Sequence, residues 1–140
     1  MDFTETSGFT GLMGSRVTEA TAERVRMVQT ISTDHLQPAG LVHGGVYAAL
    51  AESAASIGAS INVAERGIGI AAVGLENHTT FLRAVGLGSE IRVEAIPRHA
   101  GRQVQAWTVT MRDAAGRELA LATVRLHVVH AGDRIGPAAV

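Results

Sequence analysis

The chain has 140 residues, of which 12 are basic and 13 acidic, giving a formal net charge of −1, and it contains no cysteine. That balance leaves no electrostatic footprint for nucleic acid or for an anionic membrane surface, and the missing thiols exclude disulfides, thiolate metal sites and a cysteine nucleophile. The length suits one domain spanning 1–140 with a real core, its ends (1–15 and 131–140) loosely ordered. The start, Met1-Asp-Phe-Thr-Glu-Thr-Ser7, lacks the basic opening and apolar run of a signal peptide, so the cytoplasm is the expected location.

In chain order, residues 1–15 mix Gly8, Gly11 and Gly14 with Phe9, Leu12 and Met13, which predicts a loose or short helical entry. From Val17 to Ser32, Val25, Met27 and Ile31 alternate with polar residues, the period of a single strand. A loop over Asp34–Leu41 turns at Pro38 and Gly40. A long helix then opens near His43-Gly44-Gly45; from Val46 to about Ala64 there is no proline, one interior glycine (Gly58) and mostly Ala, Leu, Ile and Val. Gly67 to Leu82 reads as extended, Gly86–Ser89 as a turn, and Glu90–Ile96 alternates until Pro97–Gly101 breaks the pattern. Gln103–Met111 alternates again, Asp113–Gly116 turns, and Leu119–Val129 supplies the last strand.

The predicted order is one strand, a long helix and four strands, the last three joined by short turns into an antiparallel meander. Strands grouped apart from the helix argue an α+β fold in which a mostly antiparallel sheet wraps one long central helix. The helix is apolar almost all round, which predicts burial on every side, and its Ser53, Ser56, Ser60 and alanines argue against a membrane span. In that apolar surface stands one carboxylate, Glu52. An ionised group there is costly unless it is paired, hydrogen-bonded or facing a cavity. A structural carboxylate paired with an arginine or histidine from elsewhere is one resolution; a reactive group is the other.

The run Gly-Leu-Val-His43-Gly44-Gly45-Val-Tyr-Ala-Ala-Leu-Ala-Glu52, with Asn77-His-Thr-Thr-Phe-Leu-Arg83 downstream, resembles the hotdog-fold acyl-CoA thioesterases. Within them it is most similar to the phenylacetate-pathway (PaaI-like) and Arthrobacter-type 4-hydroxybenzoyl-CoA thioesterases, over roughly residues 30 to 130. The resemblance implies the same helix-in-sheet (hotdog) fold and an aromatic acyl-CoA as substrate. It also implies dimers with shared sites, usually paired again into homotetramers, and a catalytic Asp or Glu at position 52. Glutamate here favours the hydroxybenzoyl-type branch. Coenzyme A enters as part of the substrate, and no further cofactor is expected.

Thioester hydrolysis needs the carbonyl polarised and its carbon attacked. Gly44 and Gly45 at the helix start offer free N–H groups at the positive end of the dipole, although glycine there is also ordinary capping. Glu52 would serve as nucleophile or general base. Along the axis the two groups stand about 12 Å apart at about 1.5 Å per residue, too far to meet one thioester. Gly44 and Glu52 of one site therefore come from different subunits related by a twofold axis.

Ser56, one turn beyond Glu52, either holds the carboxylate or a water, or is small for close packing. His43 touches the thioester or orients the loop, and Gln37 matches a family glutamine near the thioester. Asn77, His78 and Thr80 are candidates for the pantetheine channel, and Arg83, Arg98 and Arg102 for the CoA phosphates, each arginine also reading as a solvated strand-edge charge. The histidines lack ligand-like clustering, so no metal is expected. Two alternatives stand beside the hydrolase: a hotdog acyl-CoA hydratase or dehydratase, for which His43 lies in the wrong place, and a non-catalytic acyl-CoA binding module, which has no need of Glu52.

Overall fold

The computed structural model describes residues 7–134. The chain runs α1 (Gly8–Leu12), β1 (Arg16–Ala20), β2 (Val25–Thr30), a 3-10 turn (Thr33–His35), α2 (Gly44–Arg66), β3 (Ala71–Phe81), β4 (Glu90–Ala100), β5 (Val104–Arg112) and β6 (Glu118–Val129). The strands form one sheet in the order β1-β2-β4-β5-β6-β3, every neighbouring pair antiparallel. α2 lies across its concave face, in contact with β3, β4, β5 and β6. The fold is α+β with a long helix wrapped by an antiparallel sheet, as the grouping of the strands predicts.

Three local expectations are corrected. The stretch Val17–Ser32 is two strands rather than one, because Thr21 closes a turn: its hydroxyl accepts from the N–H groups of Glu23 (3.3 Å) and Arg24 (2.9 Å). Pro97 does not end its strand. β4 continues to Ala100 through a register shift between Pro97 and His99, a bulge being where a sheet tolerates a residue that lacks an N–H. Finally, α2 is not buried on every side: Tyr47, Leu50, Ala51, Ala54, Ala55, Gly58, Ala59, Asn62 and Val63 are buried, while Glu52, Ser53, Ser56, Ile57 and Ser60 stay half-exposed. Its apolar surface exceeds what one sheet covers. Among the described residues no helix is long and apolar enough to cross a membrane.

The helix sits close to the sheet because small residues face it. Trp107 is fully buried, and a Cβ on Gly58 would lie 2.6 Å from its Cζ3 and closer still to Cη2. The indole Nε1–H donates to Gln105 Oε1 (3.0 Å), whose Nε2 donates to Asn62 Oδ1 (2.9 Å), so the buried polar groups between helix and sheet are satisfied by each other. At the helix end Gly67 adopts φ +60° and caps the last turn.

The N-terminal segment is tied on by polar contacts. Thr10 and Ser53 hydroxyls lie 3.0 Å apart. The Met13 carbonyl accepts from Gln29 Nε2 (2.9 Å) and from His35 Nε2 (2.9 Å), while His35 Nδ1 accepts from the Ser32 N–H (2.9 Å). Those partners fix the buried His35 ring as the Nε2–H tautomer.

Gly58→Ala tests the packing. Alanine gains about 1 kcal/mol of helix propensity, but overpacking against a ring with nowhere to retreat costs about 1–3 kcal/mol. The variant should therefore unfold at lower temperature in a calorimetric scan; an unchanged or higher midpoint would show that the ring can move aside.

Candidate active site

β3 runs alongside α2 and meets it at three levels. At the helix start the Phe81 ring covers Gly44, where a Cβ would lie 2.6 Å from Cε2, and it stacks at a tilt on Tyr47, centroids 6.0 Å apart. Burial pushes the Tyr47 hydroxyl upward in pKa, keeping it a neutral donor; it donates to the Arg83 carbonyl (3.0 Å). One turn on, Asn77 Nδ2 donates to the Ala48 carbonyl (2.9 Å) and to Glu52 Oε2 (3.3 Å). Thr79 Oγ1 donates to Asn77 Oδ1 (2.6 Å) and so holds the amide with its Nδ2 toward the carboxylate.

At the third level the Glu52 carboxyl occupies the space where a Gly74 side chain would stand, its Cδ 2.9 Å from that position. The register of β3 against β6 shifts between Gly74 and Glu76, and such bulges re-aim the strand locally. The 3.3 Å contact with Asn77 is the carboxylate's only hydrogen bond among the described residues. Glu52 is half-exposed rather than enclosed, so most of its acceptor capacity remains open.

The helix start has one committed and one open donor. His43 is the N-cap, and its Nδ1 accepts from the Gly45 N–H (2.9 Å). The Gly44 N–H donates to no group among the described residues. Both glycines have packing reasons as well, Gly44 under Phe81 and Gly45 under the His43 ring. Gln37 shapes the preceding loop: its Oε1 accepts from the Ala39 N–H (2.5 Å) and its carbonyl from the Gly40 N–H (2.9 Å). Ser56 is half-exposed on the side of α2 that carries Glu52, with no hydrogen bond among the described residues.

The remaining candidates are dispersed. Strand alternation turns His78 and Thr80 to the opposite face of β3 from Asn77 and Thr79. Arg83 is exposed just beyond β3, near the helix start. Arg98 donates from Nε to Thr108 Oγ1 (3.0 Å) on the sheet. Arg102 stands in the β4–β5 turn beside a cavity of about 650 Å³ that includes His99 and His130, near the other end of α2, where Arg66 donates to the Ala100 carbonyl (2.5 Å). Within one chain the three arginines form no common patch. Gly74 and Thr79 were not anticipated; a glycine inside a strand pattern, marking a bulge or a close approach, was the available signal. Among the described residues no group of three His, Asp or Glu side chains could hold a metal.

A helix crossed by an antiparallel sheet, with an open amide at its start and a carboxylate further along, is the hotdog architecture. The thioesterase superfamily profile matches residues 39–120. The Mycobacterium tuberculosis protein Rv1847 is 37% identical over 123 residues, covering 88% of this chain and 87% of that protein; its solved structure superposes with a TM-score of 0.83. The proofreading thioesterase EntH of Klebsiella pneumoniae is 42% identical over 81 residues, 58% of this chain and 56% of that protein. The E. coli PaaI structure shares the fold (TM-score 0.76, 21% identity, 86% of this chain and 83% of that one). The chain belongs to the thioesterase superfamily, and its class is that of a PaaI-like hotdog thioester hydrolase.

Gly74→Ala should disturb the site without disturbing the sheet, since its new methyl group competes with the Glu52 carboxyl for one space. Thioester turnover should fall by up to about 10²-fold, the scale of a 1 Å misplacement of a reacting group, with little change in thermal midpoint. Unchanged kcat would mean that this seat for the carboxylate is dispensable.

Proposed function

We propose that the protein hydrolyses aromatic acyl-CoA thioesters such as phenylacetyl-, hydroxyphenylacetyl- or hydroxybenzoyl-CoA, releasing the free acid and CoA. The observation that carries this reading is the under-coordinated Glu52 carboxylate beside Asn77, on the same helix as the open Gly44 amide. The amide donates to the carbonyl oxygen as negative charge grows there. Glu52 either takes a proton from a water that attacks the carbonyl carbon, or attacks that carbon itself to form a mixed anhydride that water then hydrolyses to the free acid and regenerated Glu52. In both routes the CoA thiolate leaves and is protonated. His43 and Gln37 hold the loop around the thioester, and Ser56 lies within one turn of the carboxylate. Asn77 orients Glu52 and Gly45 borders the thioester. His78 and Thr80, on the opposite face of β3, and Arg83, Arg98 and Arg102, which are dispersed within one chain, would reach the pantetheine and phosphates of a CoA bound across a subunit boundary.

The reading includes a homodimer with shared sites, paired again into a tetramer, in the cytoplasm and in a step of phenylacetate breakdown. The axial separation of Gly44 and Glu52 supports sharing. So does the β3 edge, where Leu75, Phe81 and Leu82 are exposed and the strand has a neighbour on one side only. The half-exposed side of α2, where Val46, Ala48, Ala49, Ile57 and Ile61 accompany Glu52 and the serines, is the natural contact for a second helix. A hydratase is disfavoured because His43 Nδ1 is occupied by the Gly45 N–H.

Thiol release from a panel of aryl, arylacetyl and straight-chain acyl-CoAs tests the activity. An aryl or arylacetyl member should react fastest, and Glu52→Gln should lose at least about 10²-fold in kcat while folding normally. Release that survives the substitution would remove Glu52 from the chemistry.

Sharing has its own test. Gly44→Pro deletes the amide while suiting the first helical position, and the exposed Phe81 ring can swing aside. Gly44→Pro and Glu52→Gln chains should each be inactive alone. Refolded together, they should regain about a quarter of wild-type activity, because half the pairs are mixed and each mixed pair holds one intact site. No recovery would place both groups in one chain's site.

A further inference from the structure

We infer that the cavity between α1 and the start of α2 receives the acyl group, and that Phe9 and Leu12 select it. The inference rests on the thioester-hydrolase reading and adds the location and character of the acyl subsite. The cavity holds about 570 Å³, and Phe9, Leu12, Met13, Leu36 and Val46 form its apolar wall. It falls in the size range of small-molecule pockets. His43 and Gly45, the neighbours of Gly44 on either side, also line it, so the cavity lies at the helix start that carries the open amide. A thioester held there has this space within reach of one of its two arms.

The lining decides which arm. Pantetheine carries amides that need hydrogen-bond partners, but the polar groups here are largely engaged. The Gly45 N–H donates to His43 Nδ1, and both nitrogens of His35 are bound to Ser32 and Met13. Asp34 stands exposed at the rim, outside the apolar wall. The apolar acyl arm is the one that fits.

Phe9 and Leu12 do little for folding. None of the five α1 residues is buried, and the segment is fastened by the Thr10–Ser53 contact and the Met13 carbonyl instead. Phe9 is 66% exposed and Leu12 83%, an unfavourable state for large apolar groups that an apolar occupant would relieve.

The experiment compares kcat/KM for benzoyl-CoA and acetyl-CoA, by thiol release, in the full chain and in Phe9→Ala, Leu12→Ala and Leu12→Trp, with circular dichroism and light scattering on each. The two truncations should each lower the benzoyl-to-acetyl ratio by about tenfold (about 1.4 kcal/mol), and Leu12→Trp should lower it by filling the space. Ratios within twofold of wild type in all three variants overturn the assignment. A changed oligomeric state with an unchanged ratio overturns it too, giving this face to a second copy of the chain. Wild-type turnover of neither thioester would instead sink the hydrolase reading, and the subsite with it.

Discussion

The structure depends on the close approach of one helix to a curved sheet, an approach made possible by side chains that are missing. Gly58 admits the Trp107 ring, and Gly74 admits the carboxyl of Glu52. Interiors are packed as densely as organic crystals, so a single methyl group at either contact must displace something. The same constraint thus sets the seating of the core and the position of the candidate catalytic group.

The polar groups between helix and sheet divide into two kinds. Asn62, Gln105 and Trp107 are buried and joined in a chain of hydrogen bonds that ties the helix to the sheet. Glu52 sits on the same helix, half-exposed, with one long bond from Asn77. Its remaining acceptor positions are open to solvent or to a ligand. Asn77 and Thr79 orient it without neutralising it, and the bulge in β3 turns the strand to make room.

The helix start is arranged on the same principle. His43 consumes the Gly45 amide and leaves that of Gly44 open, so the positive end of the dipole presents one donor in a fixed direction. The loop before it is held by Gln37 and by the His43 N–H donating to the His35 carbonyl (2.8 Å). The buried His35 links that loop to the N-terminal segment, so the amide, the cavity wall and the sheet edge share one scaffold.

Much of this was legible in the amino-acid sequence. The alternation of Glu90–Ile96, Gln103–Met111 and Leu119–Val129 specified the meander, and Ala and Leu without proline specified the helix, because both patterns are local consequences of backbone periodicity. Glu52 stood out for the same reason, as one charge on a surface whose period was otherwise apolar. What tertiary structure alone decided was partnership across distance. That Gly58 faces Trp107, that Gly74 and Asn77 frame Glu52, that Tyr47 reaches the Arg83 carbonyl, and that α1 walls a cavity at the helix start all join residues far apart in the chain. A proline that a bulge absorbs likewise depends on the neighbouring strand. Local pattern encodes which elements form; which side chains meet is fixed by how the sheet curves around the helix, and no local period records that.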